Sequence, residues 1–305
     1  MKITLTGSLG HIGKPLTQAL VQQGHAVTLI SSKAERQKEI EALGAKAAIG
    51  TMADADFLAA TFTGADVVYA MEALGAGSYF DHNLNIMAAI NKLGNNYRQA
   101  IQQSGVKRVV HLSSVGAHTD QGNGLLAFHY HVEKILSQLP PDVSITFMRP
   151  VGFYGNLLSF IPAIKTQGMI ASNYGGDDKK PWVSPIDIAA AIAEEMATPF
   201  EGRKVRYVAR EEISCNELAS VLGAAIGKPD LKWIVIPDEQ LLKGMIASGM
   251  NPRVAAGLVE MNASGSTRSG KLYEDYNRNQ PILGNVKVKD FAKEFAMVYN
   301  QQQGS

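Results

Sequence analysis

The feature that most constrains how this chain folds is a glycine-spaced turn set between a short apolar run and a helix. Ile3 to Thr6 is β-branched and apolar, Thr6-Gly7-Ser8-Leu9-Gly10-His11-Ile12-Gly13 follows, and a helical stretch runs from Lys14 to Gln23. In the spacing G-x-x-G-x-x-G, Gly7 allows a tight turn and Gly10 lets backbone approach a pyrophosphate. Gly13 lets helix pack close to strand, while the N–H groups of Leu9, Gly10, His11, Ile12 and Gly13 are available to phosphate oxygens near a helix start. Pro15 suits a first helical turn. Chance alone yields such spacing about 0.3 times in a chain this rich in glycine, so its place after a strand and before a helix carries the argument. The alternative is a structural turn with no ligand.

The same beat of strand and helix continues. Ala26 to Ile30, Lys46 to Ile49, Val67 to Met71, Arg108 to Leu112 and Ser144 to Met148 read as short strands separated by helically spaced segments. Such alternation implies an α/β fold, a parallel sheet covered on both faces by helices. Val67 to Met71 is apolar at nearly every position, as a strand that meets water on neither face should be. After Arg149 the rhythm loosens through Pro150 to Pro185. Helices are then expected over Ile186 to Met196, Glu212 to Gly227, Asp238 to Ser248, Pro252 to Asn262 and Val288 to Asn300. Ser214 is the expected N-cap of the second of these, with Glu217 three residues on and Gly227 as its stop. The polar tail Gln301 to Ser305 is expected to fray.

Composition excludes several functions. Twenty-nine basic and 28 acidic residues leave a net charge of +1, too little for a broad surface that binds nucleic acid or anionic lipid. The most apolar candidate for a membrane span, Pro150 to Ile164, is broken by Gly152, Gly155, Asn156 and Pro162 and falls short of the ~20 residues a bilayer requires. A single cysteine, Cys215, cannot form an internal disulfide, and the first residues lack the apolar core of a secretory signal, so a cytoplasmic protein is expected. The histidines suggest no metal site, since His129 and His131 are two apart on a helix and face different ways.

About 20 residues past a dinucleotide-binding turn, an acidic side chain would take the ribose 2′-hydroxyl of NAD and a basic one the 2′-phosphate of NADP. Here the chain reads Ile30-Ser31-Ser32-Lys33-Ala34-Glu35-Arg36. No acid ends the strand, and Ser32, Lys33 and Arg36 can ring a phosphate, which predicts preference for NADPH over NADH. The competing reading makes Lys33 and Arg36 solvated charges at a helix start.

Past the fifth strand, Ser113-Ser114-Val115-Gly116 leads on to a helix carrying Phe128-His129-Tyr130-His131-Val132-Glu133-Lys134. Tyr130 and Lys134 are four apart and share a helix face. Lys134 would hold ribose hydroxyls and lower the phenol's pKa, Tyr130 would exchange a proton with a substrate oxygen, and a serine, Ser114, would orient a carbonyl. Such a Tyr-x-x-x-Lys pair also arises readily by chance.

These segments resemble the NmrA-like proteins within the atypical short-chain dehydrogenases and reductases. The resemblance covers nearly the whole chain. It rests on Thr6 to Gly13, on Gly105-Val106-Lys107-Arg108-Val109-Val110-His111-Leu112-Ser113-Ser114, and on His129 to Lys134, which is similar to the family's H-x-x-x-E-K. It continues through Met148-Arg149-Pro150-Val151-Gly152-Phe153-Tyr154-Gly155-Asn156 and Val183-Ser184-Pro185-Ile186-Asp187-Ile188-Ala189. The resemblance implies a doubly wound, Rossmann-like sheet that binds NADP(H), with a small C-terminal α+β region on the substrate side. Residues 1–150 would form the dinucleotide-binding domain and 151–305 the smaller region, interleaved with the last strands and helices of the sheet. Two departures stand out: Tyr130 sits beside the family's histidine, and Ser32 stands where many members carry arginine.

Ligands of open α/β sheets bind at the carboxyl ends of the strands. Met71, Ser113, Pro150 and Phe153 are therefore candidates to line the cofactor, and Tyr154 and Asn156 to meet substrate. The expected function is an NADPH-dependent oxidoreductase passing hydride to a small conjugated or quinone-like acceptor, working as a monomer or homodimer with no nucleic-acid or membrane partner. The alternative is a regulator of the NmrA type that binds NADP(H) without chemistry. An epimerase or dehydratase holding NAD is disfavoured by the missing acid after the second strand.

Overall fold

A strand followed by a helix can rejoin its sheet in parallel only by a crossover, and this motif repeats through the first half of the chain. The computed structural model describes residues 1–267 and 269–301; Arg268 and residues 302–305, most of the tail expected to fray, lie outside the described residues. In order come β1 (Lys2–Leu5), α1 (Gly13–Gln22), β2 (Ala26–Ser31), α2 (Gln37–Ala42), β3 (Lys46–Ile49), α3 (Ala55–Phe62), β4 (Val67–Ala70), α4 (Ile86–Ser104), β5 (Arg108–Leu112), α5 (Ala127–Leu136) and β6 (Ser144–Pro150). They lie side by side as β3-β2-β1-β4-β5-β6, with Ile3 opposite Val27 on one side and Val67 on the other. Every pairing is parallel. The chain winds outward from β1 in one direction, then returns to β4 and winds outward in the other. The carboxyl ends of β1 and β4 thus flank a topological switch point, where such sheets bind ligands. Burial of β4 on both faces, at most 1% exposed at any residue, matches its unbroken apolar run.

The second half supplies β7 (Gly152–Phe153), α6 (Ile161–Gln167), β8 (Met169–Ser172), β9 (Lys180–Val183), α7 (Pro185–Ala197), β10 (Arg203–Ala209), β11 (Glu211–Ile213), α8 (Cys215–Ala225), β12 (Lys232–Val235), α9 (Asp238–Ala247), α10 (Pro252–Ser264), β13 (Ile282–Leu283) and α11 (Val288–Gln301). β10 pairs with β6 and β13 with β10, both parallel, which extends the large sheet to eight strands. β7, β9 and β11 form a second sheet, and β8 with β12 a third. The stretch where the rhythm of the sequence loosens, Pro150 to Pro185, holds three short strands and an α-helix.

β10 is not apparent in the sequence because Arg203, Lys204 and Arg206 interrupt its apolar residues. Its charges are answered across the packing: Lys204 and Arg206 each reach the buried Glu195 of α7 at 2.6 Å. α8 starts three residues later than its spacing suggests, since Glu211–Ile213 pairs antiparallel with β9. Its expected cap is present, with Ser214 and Glu217 bonded reciprocally in a capping box. Asp187, in the first turn of α7, accepts from the backbone N–H groups of Asn285 and Val286 at 2.8 and 2.9 Å and so anchors the approach to α11. Among the described residues no helix is long and apolar enough to cross a membrane.

Candidate active site at the switch point

The glycine turn is built as its spacing requires. Gly7 has φ +89°, and Ser8 is the single described non-glycine residue with positive φ, at +58°. A Cβ on Gly13 would stand 2.0 Å from the Ser8 carbonyl oxygen, so helix and turn approach more closely than any side chain permits. A Cβ on Gly10 would meet only the Gly7 carbonyl, at 4.0 Å, which leaves the backbone there open to a ligand. No side chain caps the start of α1 and no acidic residue stands in its first turn, so nothing of the protein's own competes for an anion there. Thr6 ties the turn to the end of β4: its Oγ1 accepts from the Met71 N–H at 2.9 Å, and the buried Tyr97 donates to the Met71 carbonyl at 2.5 Å.

A cleft of about 540 Å³ opens at this turn, lined by Gly7, Leu9, Gly10, His11 and Arg36 on one side and by Ser184, Pro185 and Ile186 with Phe291 and Glu294 of α11 on the other. Arg36 leans over the turn, its Nη1 3.4 Å from the Ser8 hydroxyl, which in turn donates to Ser31 at 3.0 Å. Ser32 and Lys33 are exposed just past β2, next to this cluster. The turn, the bare helix start and the basic end of the cleft fit a dinucleotide phosphate. Sequence reasoning does not single out Ser8 and Ser31. Their link to Arg36 spans turn and strand end, and only the position of Ser31 at the close of β2 hints at it. Phe291 and Glu294 come from the far end of the chain and carry no local signal.

The carboxyl ends of β5 and β6 distribute the remaining candidates unevenly. Ser113 is 2% exposed and donates to Glu133 Oε1 at 2.5 Å, so burial takes this expected cofactor contact out of a ligand's reach. Ser114 is half-buried. Glu133 holds Arg149 by two bonds, Nε to Oε1 at 2.9 Å and Nη2 to Oε2 at 2.6 Å, and Arg149 also reaches Asp275 at 3.0 Å and the Tyr207 hydroxyl at 3.1 Å. Pro150 is buried within β6, and its carbonyl accepts from the Val115 N–H at 2.9 Å. Phe153 is half-buried and Asn156 exposed.

Tyr154 lies in the core. Expected to meet substrate, it is instead fully buried, stacked between Trp182 and Phe291, with its hydroxyl donated to Glu211 at 2.6 Å. Burial and the Glu211 carboxylate raise its pKa well above the usual phenol range. A strongly aromatic C-terminal core claims this ring, which spacing after β6 could not reveal.

On α5 the pair Tyr130 and Lys134 stays together, Lys134 Nζ lying 5.3 Å from the Tyr130 ring centroid, with Lys134 exposed and Tyr130 half-buried. The inward row is Val132, Glu133 and Leu136. His129 lies on that side too: its ring packs tilted against that of Phe128, centroids 4.0 Å apart, and its Nδ1 is buried without a hydrogen-bond partner. Burial, with the charges of His111 and Arg149, pushes the His129 pKa down to about 3, so the imidazole is neutral near pH 7. Behind it, His111 Nε2 meets the Glu72 carboxylate at 3.0 Å, both side chains fully enclosed. Cys215 is buried and its pKa is pushed up to about 11 by that burial, which suits an inert thiol.

Comparison with known proteins adds to this geometry. The model of the NmrA-like family matches residues 1–276. The chain is 25% identical over 266 residues to the NAD(P)H azoreductase of Xenophilus azovorans, covering 86% of each chain. Among solved structures it resembles the triphenylmethane reductase of Citrobacter sp., with a TM-score of 0.76 at 16% identity, covering 97% of this chain and all of that one. The NADPH-dependent quinone oxidoreductase of Escherichia coli aligns with a TM-score of 0.74 at 19% identity over 96% of this chain and 99% of that one. The two structural likenesses speak to the fold.

Proposed function

The chain belongs to the NmrA-like family, and from that premise we propose that it is an NAD(P)H-dependent reductase that prefers NADPH and reduces a small conjugated or quinone-like acceptor. The observation that carries this reading is the cleft at the switch point, floored by an open glycine turn and closed at its basic end by Arg36. The names of the azoreductase and of the dye and quinone reductases support a flat, reducible acceptor.

The N–H groups of the turn and the bare start of α1 would hold the pyrophosphate, and Arg36 with Lys33 and Ser32 would take the 2′-phosphate by charge-assisted hydrogen bonds. When bound, the cofactor supplies a hydride. What remains for the chain itself is to orient the acceptor and to deliver one proton to the atom that gains negative charge. Ser114, the half-buried serine at the end of β5, would donate a hydrogen bond to the acceptor's oxygen or nitrogen. Lys134 would fix the nicotinamide ribose, and Tyr130 or solvent would provide the proton. Replacing Tyr130 by Phe separates these two sources: turnover should fall by about tenfold or more, with NADPH affinity kept, if the phenol is the donor. Unchanged turnover would assign the proton to solvent. Binding of NADPH with no turnover on any acceptor would favour the redox-sensing regulator instead.

A further inference from the structure

Loop 113–117, which leaves the end of β5, is fastened at both of its ends by one buried ion pair. At its start the Ser113 hydroxyl donates to Glu133; at its end the Ala117 carbonyl accepts from Arg149 Nη2 at 3.3 Å. Between these points Val115 N–H donates to Pro150 of β6, and Asn123 Nδ2 donates to the Gly116 carbonyl at 2.8 Å. Glu133 and Arg149 are themselves almost wholly enclosed, 9% and 7% exposed at their side chains. Of residues 112–117 only Ser114 is not buried. The charges come from three separated elements, α5, β6 and the segment around Asp275, and they converge on a loop whose single accessible side chain is a hydroxyl.

Burying a charged pair is a poor way to gain stability, because desolvation offsets most of the attraction. It is an effective way to fix geometry, since bidentate Arg–carboxylate bonds hold both partners at defined angles. We propose that Glu133, Arg149 and Ser113 are positioning residues, a clamp that presets the loop so that the Ser114 hydroxyl faces the ligand in one orientation. Ser113 and Ser114, adjacent and identical in the sequence, thereby play different roles. The Ser113 proton is committed to Glu133, and that residue acts only through Ser114. The proposal rests on the reading of the protein as a nicotinamide-dependent reductase whose acceptor sits at the carboxyl end of β5, where Ser114 stands, beyond the residues that line the cleft at the glycine turn.

The test is a double-mutant cycle between Ser113 and Ser114, with kcat, KM and the NADPH dissociation constant measured for each variant. Ser113→Ala removes the clamp's link to the start of the loop, beside Ser114, and leaves the Glu133–Arg149 pair and its bond to the Ala117 carbonyl whole, whereas Glu133→Gln strands a buried guanidinium and risks the fold. If Ser113 works through Ser114, Ser113→Ala lowers kcat by about tenfold in the parent protein and by less than about twofold in the Ser114→Ala background. Equal losses in both backgrounds, or a lower melting temperature with kcat and the NADPH constant unmoved, would overturn the proposal. Should the parent protein bind NADPH yet reduce no quinone or azo dye, the reductase reading fails, and the same cycle is read on the NADPH dissociation constant. Non-additive losses there support the clamp and additive or absent ones refute it.

Discussion

On the proposed function, cofactor choice turns on Arg36, because it alone of the basic candidates touches the glycine turn, through Ser8. Replacing it with Ala should weaken NADPH binding by about 1.5 to 3 kcal/mol, the worth of a hydrogen bond to a charged group, and leave NADH nearly unchanged. Lys33→Ala should act in the same sense but more weakly, since its side chain stands in open solvent where salt screens it. Titrations of both variants with both cofactors check this, and equal losses for NADPH and NADH would remove the assignment. Residue identity makes the basic cluster legible in the sequence; it cannot show that Arg36 lies inward and Lys33 outward. Tyr154 illustrates the same limit from the other side. Its place after β6 suggests a ligand contact, while its stacking on Trp182 and Phe291 depends on residues 28 and 137 positions away.

At the scale of elements, the glycine turn and the helix it opens are readable because their requirements are local. Two of its glycines make opposite predictions. Gly13→Ala places a Cβ 2.0 Å from the Ser8 oxygen, so turn and helix must separate; a loss of about 1 to 3 kcal/mol in unfolding free energy is expected. Gly10→Ala meets only an ordinary contact with the Gly7 carbonyl at 4.0 Å, should change stability by less than about 0.5 kcal/mol, and should still weaken NADPH binding by crowding the pyrophosphate. Denaturant unfolding and cofactor titration on both variants distinguish the two glycines. Equal stability losses would contradict the assigned geometry. β10, by contrast, escapes a sequence reading because Lys204 and Arg206 are neutralised by Glu195 on a different element. The end of α11 that lines the cleft is out of reach for a related reason: distant partners hold it there, Asp187 through residues 285 and 286, Glu211 through the Val288 N–H, and Tyr154 against Phe291.

Across the whole molecule, buried histidines couple stability to pH. His129 binds a proton less readily folded than unfolded, and His118, lowered mainly by burial, acts in the same direction. For His129 the unfolded chain therefore holds more protons between pH ~6.5 and ~3, so stability should fall as pH is lowered through that window, by at most about 1.4 kcal/mol per pH unit, and His118 adds in the same direction. Denaturant midpoints from pH 7 to 5 would show this, and His129→Gln should flatten the slope; a slope unchanged by that substitution would place the cause elsewhere. The central claim, that the switch-point cleft is an NADPH-dependent reductase site, is tested most directly by titrating the protein's fluorescence with NADPH and NADH and then adding quinones and azo dyes to the same solution. Tighter binding of NADPH than of NADH is expected, followed by oxidation of NADPH by at least one acceptor. Absence of NADPH binding would contradict that claim.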